Sequence, residues 1–126
     1  NPAWEKDIVM PGFVSFEERE WLYRNAQAFV FPSLYEGFGL PVLEAMVMGC
    51  PVVAYSNSSI PEVAGDAALL AGDGKSMAPE IDAILTDKTL REKLIKNGRE
   101  QAKKFTWDLA AEKTIAVLES AAHNDK

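Results

Sequence analysis

Short, wholly apolar stretches punctuate this chain at regular intervals, and longer stretches with helical spacing separate them. Ile8-Val9-Met10, following Asp7, ends at Pro11-Gly12 and predicts a strand and a turn. Ser15 predicts a helix cap, and Glu17 and Glu18 suit the positive first turn that follows. That helix should run to about Gln27 with Trp21, Leu22 and Ala26 on its buried stripe. Ala28-Phe29-Val30-Phe31 is apolar throughout and stops at Pro32, which predicts a strand covered on both faces. A glycine-rich loop, Tyr35 to Leu40, leads to a helix starting at Pro41, where a missing N–H costs nothing. Gly49 fits the position past that helix, and Pro51 follows.

Further strands are expected at Val52–Tyr55 and Ala68–Ala71, with one helical turn at Pro61–Ala64 between them. The rest reads as helix: Met77 to Leu85 capped by Ser76, Thr89 to Lys104 with Leu90, Leu94 and Ile95 inward, and Trp107 to Ala122 capped by Thr106. His123 to Lys126 should fray. Strands alternating with helices imply an α/β domain, a parallel sheet with helices on both faces. Ligands in such sheets bind beyond the carboxyl ends of the strands, where the glycine-rich loop falls.

Composition narrows the class. The chain has 126 residues, enough for one domain, with 48% apolar and 25% charged residues. A net charge of −6 offers no basic footprint, so no nucleic acid is expected as a partner. The single cysteine, Cys50, reads as a small buried side chain, and one thiol fits a cytoplasmic setting. No apolar run is long enough to span a bilayer, and the first residues lack a signal-peptide pattern. The chain begins without methionine and in mid-pattern, as an excised piece would, so residues 1–126 are expected to be part of a domain.

Candidate chemistry concentrates in Glu36-Gly37-Phe38-Gly39-Leu40-Pro41-Val42-Leu43-Glu44. Gly37 and Gly39 let a ligand approach the backbone. The helix start beyond them presents unpaired N–H groups and partial positive charge, a setting for phosphate. Glu44 sits in the first helical turn and leans back toward that start, within reach of a diol such as a ribose. Glu36, on the loop, suits sugar hydroxyls. The residues alone equally fit a plain strand-to-helix turn with two solvated glutamates.

With seven residues between them, Glu36 and Glu44 resemble the paired-glutamate motif of the group 1 (family 4) retaining glycosyltransferases. Phe31-Pro32-Ser33, Tyr35 to Pro41, Glu44-Ala45-Met46, Gly49 to Ala54, Pro61-Glu62-Val63 and Gly65 to Ala68 fit the same pattern in order. Gly12-Phe13-Val14 ahead of Glu17, Glu18, Leu22 and Tyr23 fits as well. The resemblance implies a Rossmann-like carboxyl-terminal domain of a two-domain GT-B enzyme. Its substrate would be a nucleotide-diphosphate sugar, with no other cofactor and no metal. Glu44 would hold the ribose and Glu36 the donor sugar, as the catalytic-site residue that positions it. Gly37, Phe38, Gly39 and Leu40 would face sugar and phosphates through their backbone, and Gly12 and Phe13 would lie beside the base. Transfer would retain the anomeric configuration, with the leaving diphosphate stabilised by N–H donors and the helix dipole.

Departures from the family pattern carry expectations of their own. Asn57-Ser58-Ser59-Ile60 stands where many relatives carry a glycine pair before Pro-Glu. The first two strands of the family's donor domain, with their arginine and lysine, do not precede Asn1. The strand at Ile8 is therefore expected to pair abnormally, or another chain to fill the gap by self-association. The acceptor domain would be a partner, any membrane association would come through that part, and the fragment alone should be inactive. Two rival classes share these features: a same-fold sugar-nucleotide epimerase or phosphorylase, and a non-catalytic interaction module. Trp21 and Trp107 are expected in the core, Trp4 over the chain's edge, His123 without a chemical role, and no residue cluster has metal-ligand spacing.

Overall fold

A computed structural model describes the chain at residue 3 and over residues 5–124. Trp4 and the last two residues of the expected frayed tail lie outside the described residues. Three strands form a parallel sheet in sequence order: β1 (Phe29–Phe31), β2 (Val52–Tyr55) and β3 (Ala68–Ala71). Val30 pairs with Val53, and Val53 with Leu69, which fixes the register. Six α-helices accompany the strands: α1 (Phe16–Asn25), α2 (Leu40–Val47), α3 (Ile60–Ala64), α4 (Gly74–Thr86), α5 (Lys88–Ala102) and α6 (Trp107–Asn124).

The continuous apolar run of β2 has its physical reason in the two layers around it. Val52 and Ala54 face one layer, with Val42, Ala45 and Met46 of α2 and Ile60 and Val63 of α3. Val53 faces the other, with Ala71 of β3, Met77 and Ile84 of α4, and Leu94 of α5. Successive strand residues point to opposite faces, so a strand between two helical layers needs no polar position. Cys50 is buried in the first layer, and burial pushes its thiol up to about 11.

Local signals place the helix ends. Ser15 and Glu18 form a reciprocal capping box at α1: Ser15 Oγ accepts from the Glu18 N–H, and the Glu18 carboxylate accepts from the Ser15 N–H. Gly49, at φ +76, lies just past α2 in the left-handed region that its role requires. The start of α4 differs from expectation. Asp73 is its cap, and Ser76 occupies the third helical position, returning a hydrogen bond to the Asp73 N–H. An Asp-x-x-Ser box begins the helix earlier than a Ser76 cap would. The last helix runs through Asn124, farther than Ala122, with Thr106 Oγ1 accepting from the Leu109 N–H as expected of its cap.

Three expectations fail. Residues 8–10 form no strand; they follow a 3-10 turn at Glu5–Asp7 and are exposed, Val9 at 83%. The run joins no sheet, so the displaced pairing expected of Ile8 does not occur. Trp21 is 64% exposed and Leu22 and Ala26 also face outward, while α1 instead tucks Tyr23 edge-on against Phe29 at 5.1 Å. Trp107 is 88% exposed, and Ile115, Val117 and Leu118 of α6 are exposed with it. An apolar stripe is buried only if a second apolar surface meets it. Among the described residues none covers these faces of α1 and α6.

Candidate functional site

The carboxyl end of β1 delivers the chain into the loop over residues 32–39, and Gly39 turns it into α2. Gly39 has φ +103, a left-handed conformation that side chains rarely adopt. A Cβ at this position would stand 2.6 Å from Ile60 Cδ1. Both the backbone and the packing therefore require glycine. Gly37 is different: it is exposed, and an added Cβ there would meet nothing within 4 Å.

Backbone bonding at this junction is one-sided. The Gly39 carbonyl accepts from Val42 and Leu43, so the first turn of α2 is closed from within. Among the described residues, no group accepts a hydrogen bond from the N–H of Gly37, Phe38, Gly39 or Leu40. Gly39 is buried beneath Ile60, whereas Gly37 and Leu40 are open to solvent. Phe38 leans edge-on against Phe105 at 5.7 Å, which anchors the loop to the segment between α5 and α6.

A second loop, over residues 56–59 between β2 and α3, grips the first. Asn57 Nδ2 donates to the Ser33 carbonyl at 3.1 Å, and Ser58 Oγ accepts from the Glu36 N–H at 2.9 Å. Ser59 Oγ lies 3.0 Å from the Glu36 carbonyl and 2.8 Å from the Phe38 carbonyl, its single proton shared between them. Ser58 sits at φ +43, the one non-glycine residue with positive φ among the described residues. The Glu36 carboxylate accepts from Ser33 Oγ at 2.7 Å.

Glu44 is held from the other side. Its carboxylate stands 3.4 Å from the Arg19 guanidinium and 3.4 Å from the Tyr23 hydroxyl, both on α1. Tyr23 also lies 3.4 Å from the Pro41 carbonyl, so the Glu44 side chain reaches back toward the start of its own helix. Burial, reinforced by the negative Glu44 carboxylate, pushes the Tyr23 hydroxyl up to about 12.

The structure thus gathers Glu36, Gly37, Phe38, Gly39, Leu40 and Glu44 around one strand-to-helix junction. Gly12 and Phe13 lie in the irregular segment before α1, where Phe13 is 98% exposed. Sequence reasoning assigned no contact to Ser58 and Ser59, although the missing glycine pair had marked their positions. It missed Arg19 and Tyr23 as partners of Glu44, since nothing local signals a contact across 21 residues. A hollow of about 390 Å³ between Gly65–Ala67 and α5 shares no residue with this junction. Among the described residues no cluster of three or more His, Cys, Asp or Glu could hold a metal, and no helix is long and apolar enough to cross a membrane.

A three-stranded parallel sheet, a glycine loop entering a helix, and paired glutamates define the class: the chain belongs to the glycosyl transferases group 1 family, whose profile matches residues 4–101. It is similar to the O-antigen chain mannosyltransferase B of Escherichia coli, 45% identical over 90% of this chain and 34% of that protein. It is also similar to an MMP alpha-(1->4)-mannosyltransferase of Mycolicibacterium hassiacum, 37% identical over 86% of this chain and 28% of the relative. Among solved structures, sucrose-phosphate synthase from Thermosynechococcus elongatus superposes with a TM-score of 0.80 and 29% identity, over 95% of this chain and 31% of that one. The chain spans about a third of the length of these relatives.

Proposed function

We propose that this chain is the donor-binding part of a retaining glycosyltransferase that takes a nucleotide-diphosphate sugar. The observation that carries this reading is the set of four N–H groups at residues 37–40 without an acceptor among the described residues, flanked by the Glu36 and Glu44 carboxylates. Unpaired N–H groups at a helix start favour a diphosphate. A carboxylate on each side suits the hydroxyls of the two saccharide ends, Glu44 taking the ribose and Glu36 the transferred sugar. The same N–H groups would stabilise the charge that develops on the departing diphosphate. Gly12 and Phe13 would flank the base.

The names of the similar mannosyltransferases favour mannose as the transferred sugar. The acceptor would be held by a second domain, the reaction would run in the cytoplasm without a metal, and the chain alone would not turn over. Glu36 acts here as a positioning group for the donor. Calorimetric titration of UDP, GDP, ADP and their sugar conjugates into the full-length protein tests the reading. One nucleoside diphosphate should bind more tightly than its nucleoside, and its sugar conjugate should be consumed with an acceptor. A protein indifferent to all three diphosphates sinks the proposal, and an inverted anomeric signal in the product sinks retention.

A further inference from the structure

Ser59 stands at the start of α3, in the position where a serine ordinarily accepts a hydrogen bond from its own helix. It makes no such bond. Its hydroxyl is turned instead to the glycine-rich loop, toward the carbonyls of Glu36 and Phe38 at 3.0 and 2.8 Å. α3 is thus left without a side-chain cap while the hydroxyl serves a segment 21 residues away.

The geometry of the peptide unit shows what that hydroxyl accomplishes. Every peptide bond among the described residues is trans. In a trans unit the C=O and the following N–H point in opposite directions across a plane. Drawing the Glu36 and Phe38 carbonyls toward Ser59 therefore turns the N–H groups of Gly37 and Gly39 to the far side of the loop. Two of the four N–H groups without an acceptor among the described residues are thereby turned away from this one hydroxyl. Ser58, by accepting from the Glu36 N–H, holds the preceding peptide unit in the same bracket.

We infer that Ser59 is a positioning residue for diphosphate recognition: its hydroxyl braces the Glu36 and Phe38 carbonyls so that the N–H of the exposed Gly37 faces the phosphates. The inference rests on the donor-binding reading above and adds a residue to it. It also predicts a particular selectivity. Losing the hydroxyl should weaken the grip on phosphate and leave contacts to the nucleoside untouched.

The test compares nucleoside and nucleoside diphosphate binding by calorimetry in the full-length protein and its Ser59→Ala and Ser59→Thr variants. Ser59→Ala should lose about tenfold in affinity for the diphosphate, the worth of roughly one hydrogen bond, with nucleoside affinity unchanged. Ser59→Thr, which keeps the hydroxyl, should restore diphosphate binding. Ser59→Gly also lacks the hydroxyl and suits a helix start, so it gives the same reading if alanine impairs folding. Unchanged diphosphate affinity in the alanine or glycine variant overturns the inference. So does an equal loss for nucleoside and diphosphate accompanied by a lower melting temperature, which marks a purely structural role. A wild-type protein that does not prefer diphosphate over nucleoside overturns the donor-binding reading itself, so the two failures are distinguishable.

Discussion

Two glycines separated by one residue have opposite tolerances. At Gly39 an added methyl collides with Ile60 and the backbone is left-handed, so Gly39→Ala should lower stability by roughly 1–3 kcal/mol in urea denaturation. At Gly37 the same methyl meets nothing, so Gly37→Ala should leave the denaturation midpoint nearly unchanged. Both substitutions should weaken diphosphate binding, Gly37→Ala without the loss of stability, because each adds a side chain to the loop that carries the N–H groups; diphosphate titration checks it. Glu44→Ala should weaken nucleotide binding by about 1–3 kcal/mol if the carboxylate holds a ribose. Glu36→Ala should spare free nucleotide and weaken only the sugar conjugate. Silence of both substitutions in calorimetry defeats the assignment. The glutamates and glycines of this site were legible because their spacing is local. Ser59, Arg19 and Tyr23 were not, because each acts through a contact the fold creates between distant residues.

Among the elements, α4 offers the sharpest pH prediction. The Ser76 backbone N–H, helped by the Ser76 hydroxyl, holds the exposed Asp73 carboxyl below the usual carboxylate range. A depressed folded value stabilises the fold above the unfolded value and loses that contribution as pH falls through the folded one. Asp73→Ala should therefore lower the melting temperature near neutral pH, and the difference from wild type should shrink in acid. Tyr23 on α1 carries the opposite sign. Its hydroxyl is raised from the ordinary 10.0 to about 12, so its contribution is complete below pH 10.0 and is lost as pH climbs toward 12. Absorbance titration of phenolate should show a late phase from Tyr23, and Tyr23→Phe should remove it. The start of α1 and the end of α2 were readable from Ser15 and Gly49, since caps are short-range chemistry, whereas α1 stops at Asn25, short of Gln27, and α2 starts at Leu40, before Pro41. Burial on α1 was not, because helical spacing reveals an apolar face without revealing what lies opposite.

For the molecule as a whole, the short strands were legible because each is apolar on both faces; two helical layers cover β2, while Val30 leaves one face of β1 exposed. The run over residues 8–10 looked the same in sequence. It pairs with nothing because a strand exists only beside another, and β1 takes β2 as its one partner among the described residues. Val9, Met10, Phe13, Trp21 and Trp107 each leave apolar surface in solvent. Surfaces of that kind favour association. The 126-residue chain by itself should therefore sediment as a concentration-dependent mixture, and a strictly monomeric profile at high concentration would count against this.

Ile60 belongs at once to the interior and to the loop above it, since its Cδ1 fixes how low Gly39 can sit. Shortening it to valine opens room beneath the loop, so Ile60→Val and Gly39→Ala should partly compensate in a double-mutant cycle. The rescue should stop short of completeness, because the left-handed backbone penalises alanine whatever the space. A hydrocarbon tip in the interior thus acts as the setscrew of a polar rim, and drift at position 60 would retune ligand affinity without a single altered residue touching the ligand.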